Sequence, residues 1–218
     1  GGLLKIDIGV QVDGFVADTA FSLDLENNEE NKKLIEVAEL ALKKGVETIS
    51  LKSKLMEIGA AIENSIKSFG FQPIINLSGH SIDQYSLHSG VTIPNYNNSQ
   101  EHVPEIGVYA IEPFATSGVG RIRDGRPSGI YRIEREGNVR DNFAREVLDY
   151  IIEEYGTLPF CSRWLVKKFG SRALIAMKRI EEAGIVHQYS QLVEESRHKV
   201  AQAEHTVILT EKEKIVTT

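Results

Sequence analysis

Near its start the chain has two stretches around a polar turn, the first of them alternating, "KIDIGVQVDGFVADTAFS" from Lys5 to Ser22. Asp13-Gly14 favours positive φ at both central positions, so the stretch predicts a two-residue hairpin of type I′ within about Leu3 to Leu25. That turn sets Val12 opposite Phe15, Gly9 opposite Asp18 and Asp7 opposite Ala20. Opposite residues share a face, so Asp7 and Asp18 are diagonal neighbours, roughly 7–8 Å apart at the backbone. Leu4, Ile6, Ile8, Val10 and Val12 form the other face, which is apolar enough to pack.

Helical spacing follows. Leu34, Ala38, Ala41 and Leu42 predict a helix from about Asn28 to Lys44, with Gly45 as its C-cap. Leu55, Ile58, Ile62, Ile66 and Phe69 predict a second, started by Ser53 and stopped by Gly70. Phe71–Leu77 reads as a strand leading into Ser78-Gly79-His80. Residues 81–104 lack a helical period and read as loops and short strands. Val108–Glu112 reads as a strand halted by Pro113, whose ring holds Glu112 extended.

Residues 121–187 differ. Arg121–Arg140 is rich in Gly and Arg without clear period. Three short helices are predicted next, at Asp141–Tyr155, Pro159–Phe169 around Trp164, and Ser171–Ala183 with Leu174, Met177 and Ile180 inward. Ile185–Tyr189 follows as a strand, giving a pattern like a winged helix. Val200–Leu209 and Lys214–Thr218 return to strands, with Glu211-Lys212-Glu213 as their turn.

Charge supports the same division. The net charge is −6, which argues against a general nucleic-acid binder, yet residues 121–187 alone carry 13 Lys and Arg against 10 Asp and Glu. The expected parts are 1–120 and 188–218 for one domain and 121–187 for a helical insertion. With 41% hydrophobic residues the 218-residue chain can build a full core. Cys161 is the sole cysteine, which favours a reducing, cytoplasmic setting without a disulfide framework. No apolar run matches a membrane span and no signal peptide is visible.

Three further groups join the two aspartates: His80 after a strand and a glycine, Glu112 at a strand end, and Glu204 inside an otherwise apolar strand. Singly, each has a plain explanation: a solvated face, a hydrogen-bonded loop histidine, an arginine partner. Together, four carboxylates and one imidazole suit two divalent ions such as Mn, Fe, Co or Zn. Two ions roughly 3.5–4 Å apart need bridging carboxylates, and this set has them.

The hairpin, "NLSGHSI", "YSLHSG", "YAIEPFAT" and "AQAEHTVIL" resemble the type II methionine aminopeptidases, above all the archaeal ones. "EYGTLPFCSRWL" resembles the helical insertion that separates type II from type I. The resemblance spans nearly the whole chain. It implies an α+β pita-bread fold, two pseudo-symmetric halves around a dinuclear site. Asp7 would chelate one ion, Asp18 and Glu204 would bridge both, and His80 and Glu112 would hold the other. A water between the ions would be the nucleophile and Glu112 its general base. His88 would bind substrate and help stabilise the tetrahedral intermediate. His102, His187, His198 and His205 match no role. The expected reaction is removal of initiator methionine from nascent proteins when the next residue is small, by a cytoplasmic monomer.

Members of the family carry a segment ahead of the "KIDIG" strand, supplying another active-site histidine and part of the methionine pocket. The chain therefore reads as a fragment of a longer enzyme. Two other readings remain in view. Proline-specific peptidases share the fold and ligands, though the insertion argues against them. A non-enzymatic pita-bread protein binding RNA or protein partners would have lost ligands that are all present here. Arg163, Lys167, Lys168, Arg172, Lys178 and Arg179 could contact nucleic acid, but Glu181 and Glu182 interrupt them. We read them as a solvated face on the substrate or ribosome side.

Overall fold

A left-handed turn starts the structure, a computed structural model describing residues 2–218. Asp13 (φ 51°) and Gly14 (φ 83°) both take positive φ. They join β1 (Leu3–Val12) to β2 (Phe15–Asp24) in the register that pairs Val12 with Phe15, Gly9 with Asp18 and Asp7 with Ala20. The turn tolerates only glycine at its second place for another reason too: a Cβ there would lie 2.4 Å from the Tyr85 ring.

Two helices follow. In α1 (Glu29–Thr48) the Asn28 side chain caps the first turn, accepting from the amides of Glu30 at 2.9 Å and Asn31 at 3.2 Å. Gly45 does not end this helix. It lies inside it, where a Cβ would come within 2.9 Å of Ile111, so its absence lets the helix settle on the sheet. In α2 (Leu55–Lys67) the cap is Lys54 rather than Ser53, its amide donating to the Glu57 carboxylate at 2.8 Å. Leu34, Val37, Ala41, Leu55, Ile58 and Ile62 are buried, while Phe69 is exposed.

The short strands β3 (Gln72–Pro73), β4 (Ser78–Ile82), β5 (Thr92–Pro94), β6 (Gly107–Ile111), β7 (Phe114–Thr116), β11 (Val200–Gln202), β12 (His205–Leu209) and β13 (Lys214–Val216) complete this unit. They form a five-stranded antiparallel sheet, β13-β12-β6-β4-β5, and a three-stranded one, β11-β7-β3. Phe71–Leu77 is thus not one strand. Only Gln72–Pro73 pairs as strand, with Thr116 and Ala115 of β7, and one further bond, from Ile74 N–H to Phe114 C=O at 3.0 Å, ends the contact. Val200–Leu209 is likewise broken: β11 pairs with β7 and β12 with β6, and the chain changes partner at Ala203-Glu204.

The five-stranded sheet has two unlike faces. Tyr109, Ile111, Val207 and Leu209 belong to one buried cluster with Leu34, Ile58 and Ile62 of the two helices. On the other face His80 and Thr206 lie opposite Ala110, with Glu112 and Glu204 two residues away along the chain. The hairpin meets this second face: Glu204 N–H donates to Ala20 C=O at 2.8 Å, and Thr19 Oγ1 donates to Glu204 C=O at 3.0 Å. The hairpin's apolar face is not packed as expected. Ile8, Val10, Val12 and Phe15 are 45–70% exposed.

Contacts divide the chain into two compact units, one running to Arg123 and resuming at Val193–Thr218, the other Asp124–Leu192. The second unit holds all but the first residues of β8 (Ile122–Ile133), α3 (Asn142–Tyr155), β9 (Phe160–Cys161), α4 (Ser162–Phe169), α5 (Ala173–Glu182) and all but the last residues of β10 (Val186–Glu194), with sheet order β10-β8-β9. β8 occupies much of the stretch that shows no period in sequence, because its partners lie far along the chain. Trp164 and Leu174 are half exposed; Leu165, Ala173, Ala176, Met177 and Ile180 fill the core instead. Three of the basic residues singled out in this unit are engaged internally. Lys168 lies 3.9 Å above the Tyr150 ring, Arg172 lies 4.6 Å above Phe143, and Arg179 pairs with Asp141. Among the described residues, no helix is long and apolar enough to cross a membrane.

Candidate metal centre

Asp18, His80 and Glu204 are all buried, and each offers a ligand atom within 4.8 Å of the others. Three separate elements deliver them. Asp18 sits in β2 with its backbone clamped by Thr206: its N–H donates to Thr206 Oγ1, and that hydroxyl donates to its C=O, both at 2.7 Å. His80 sits in the middle of β4. Its neighbour Gly79 has no Cβ, which would lie 2.3 Å from Ala110 O, so β4 can press close to β6. Glu204 occupies the partner change between β11 and β12, pinned to the hairpin at Ala20.

Glu112 and Asp7 stand around this trio. Glu112 Oε1 lies 3.4 Å from His80 Nε2. Asp7 Oδ2 accepts from Gln202 Nε2 at 3.0 Å, and the same nitrogen lies 3.4 Å from Glu204 Oε2. The His88 ring packs edge-on against His80 with centroids 4.3 Å apart. All six residues singled out in the sequence therefore converge on one region. Sequence reasoning missed Gln202, Thr206 and Asn95. The Asn95 amide donates to the carbonyls of Leu77 at 3.1 Å and Glu112 at 3.2 Å, tying the start of β4 to the end of β6. The only sequence cue to Gln202 was a polar residue two places before Glu204 in an apolar run.

The electrostatics of the cluster are those of acids crowded together in a dry place. Burial, then Asp7, lifts the Asp18 carboxyl to about 6. Burial, then Asp18 and Asp7, lifts Glu204 to about 9. Glu112 is raised well above the usual carboxylate range, first by burial and then by Glu204, Asp7 and Asp18. His80 is lowered to about 4, by burial and by its neighbour His88. A neutral imidazole amid carboxylates that resist ionising together is a donor set a divalent cation would relieve.

A buried carboxylate–histidine cluster on an antiparallel sheet backed by two helices is a donor set suited to a metal-dependent hydrolase. The chain belongs to metallopeptidase family M24, which matches residues 1–211, and has that family's α+β pita-bread fold. It is 42% identical over 214 residues to the methionine aminopeptidase of Methanothermobacter thermautotrophicus, covering 97% of this chain and 72% of that one. Among solved structures, a thermophilic Arx1 superposes with a TM-score of 0.78 at 17% identity, over 97% of this chain and 65% of that one. The methionine aminopeptidase of Thermotoga maritima superposes with a TM-score of 0.63 at 20% identity, over 98% and 62%. These two likenesses concern the fold.

Proposed function

We propose that this M24 metallopeptidase is a methionine aminopeptidase, hydrolysing the N-terminal methionine of nascent proteins when the next residue is small. The observation that carries this reading is the buried meeting of Asp18, His80 and Glu204, with Asp7 and Glu112 beside them, in a homologue of the archaeal methionine aminopeptidases. The donor chemistry fits two divalent ions, with Co, Mn, Fe or Zn as candidates. Asp7, Asp18, His80, Glu112 and Glu204 are the residues that would hold them.

Bound there, such ions would polarise the scissile carbonyl and bring the pKa of a water near neutrality. The chain's own groups do the rest. Glu112 takes a proton from the attacking water and returns it to the departing amine as the C–N bond breaks. His88, packed on His80, donates to the carbonyl oxygen as negative charge grows on it. The buried flank of the cluster limits competing water.

The unit Asp124–Leu192 would be the winged-helix-like insertion of the type II enzymes, spanning about 121–187, with the pita-bread domain before and after it. Its basic residues would form a solvated face rather than bind nucleic acid specifically. A cytoplasmic monomer suits the single cysteine and the nascent-chain substrate.

The test pairs metal analysis with hydrolysis of Met-Ala-Ser by the cobalt- or manganese-loaded chain. Two ions per chain and release of free methionine are expected. Two ions with cleavage of an Xaa-Pro dipeptide instead would move the protein to the proline-specific branch. A folded chain binding RNA near physiological salt and no metal would make it a binding protein.

A further inference from the structure

Gln202 hydrogen-bonds two of the clustered carboxylates, and its backbone is well fixed. It is 4% exposed at the end of β11. Ser22 Oγ accepts from its N–H and donates to its C=O, each at 2.8 Å. Its pairing with Phe114 holds the other edge. From this anchored backbone the amide nitrogen reaches Asp7 Oδ2 at 3.0 Å and Glu204 Oε2 at 3.4 Å.

The residue type matters. A primary amide nitrogen carries two hydrogens, so it can serve two acceptors at once, and an ionised carboxylate only accepts. A glutamate here would set a further negative charge beside Asp7. A lysine would place a cation where metal ions would compete with it. An amide alone orients both acids without changing the charge of the site. Asp7 and Glu204 lie on elements nearly 200 residues apart in the chain, so nothing local fixes their relative rotation.

We propose that Gln202 is a positioning residue of the metal centre: by donating to one oxygen of Asp7 and one of Glu204, it turns their remaining oxygens toward the space shared with Asp18 and His80. This rests on the metal-centre reading above. Groups that orient metal ligands through hydrogen bonds typically change metal affinity 10–100-fold when removed.

The experiment measures cobalt(II) binding to the chelator-stripped chain by calorimetry, with the visible cobalt spectrum and thermal melting alongside. Gln202→Met keeps length and removes both donors. It should melt within a few degrees of the parent, bind cobalt about 10–100-fold more weakly, and show altered d–d bands. Hydrolysis should lose kcat with KM little changed. Gln202→Glu, close to isosteric, provides a second variant should the methionine form not fold, and the same spectral change is expected. Parent-like cobalt affinity and spectrum in a folded variant overturn the role of Gln202 alone. A parent chain that takes up no cobalt overturns the metal-centre reading and this one with it.

Discussion

Two buried sets of acid in one unit behave in opposite ways. Glu194 is as buried as Glu204, at 4% against 2% exposure. Yet three donors converge on its carboxylate: Val119 N–H at 2.7 Å, Ser196 Oγ at 2.7 Å and His198 N–H at 3.0 Å. Burial pushes its carboxyl up, and these hydrogen bonds more than reverse that, holding it below the usual range. Gly118 makes room, since a Cβ there would lie 2.3 Å from Glu194 Oε1. The central acids are driven up first by burial and then by one another, with few donors to offset either. Where N–H groups surround a carboxylate, it is structural cement. Where buried carboxylates surround each other, each resists the ionisation of the next.

The largest effect should come from removing one of the acids of the central trio. Glu204→Gln or Asp18→Asn forfeits several kcal/mol of transition-state stabilisation, so kcat/KM on Met-Ala-Ser should fall about a thousandfold or more. Metal content by mass spectrometry should fall with it. Unchanged metal content in both variants would break the comparison.

Glu194→Gln should act on stability rather than on metal. It replaces an ionised acceptor of three bonds and turns an NH₂ toward donors, costing about 2–3 kcal/mol in urea unfolding. Cobalt stoichiometry should stay that of the parent.

Acidity sharpens the contrast further. Glu194 has a depressed carboxyl, so its contribution is present above the unfolded value and is lost as pH falls through the folded one. Asp18 and Glu204 are raised to about 6 and about 9, so their contribution is present at low pH and is lost as pH rises through those values. His80, lowered to about 4, opposes that trend only below about 6.5. In chelator, the melting temperature should therefore fall between about pH 6.5 and 9. Glu204→Gln should flatten that slope, while Glu194→Gln should flatten only the acid limb.

Ser196→Ala gives the smallest change. It removes one of the three donors to Glu194 and should cost about 1 kcal/mol, read by the same unfolding curve.

Much of this was legible in the sequence, and the particular elements say why. The hairpin register follows from two residues, Asp13 and Gly14, whose backbone preference is local. The helix starts follow from Asn28 and Asp141, whose side chains bond amides two or three residues on. The six residues that the structure brings into one region were singled out through motifs resembling a known family. Less legible was β8, whose pairing of Ile130 with Cys161 and Tyr131 with Phe160 spans some thirty residues. The break at Ala203-Glu204 was hidden too, because an alternating run looks the same whether its partner strand changes or not.

The sequence by itself determined which residue types exist, their local turns and caps, and the alternation that sets Asp7 and Asp18 on one face. Those depend on contacts within a few residues and on backbone sterics. Only the tertiary structure decided that Gln202 faces both Asp7 and Glu204, that Glu194 is ringed by donors, and that the hairpin turns its polar side to the sheet. Each of these needs groups far apart in the chain to meet, and a meeting of that kind is fixed by packing, which local preference does not encode.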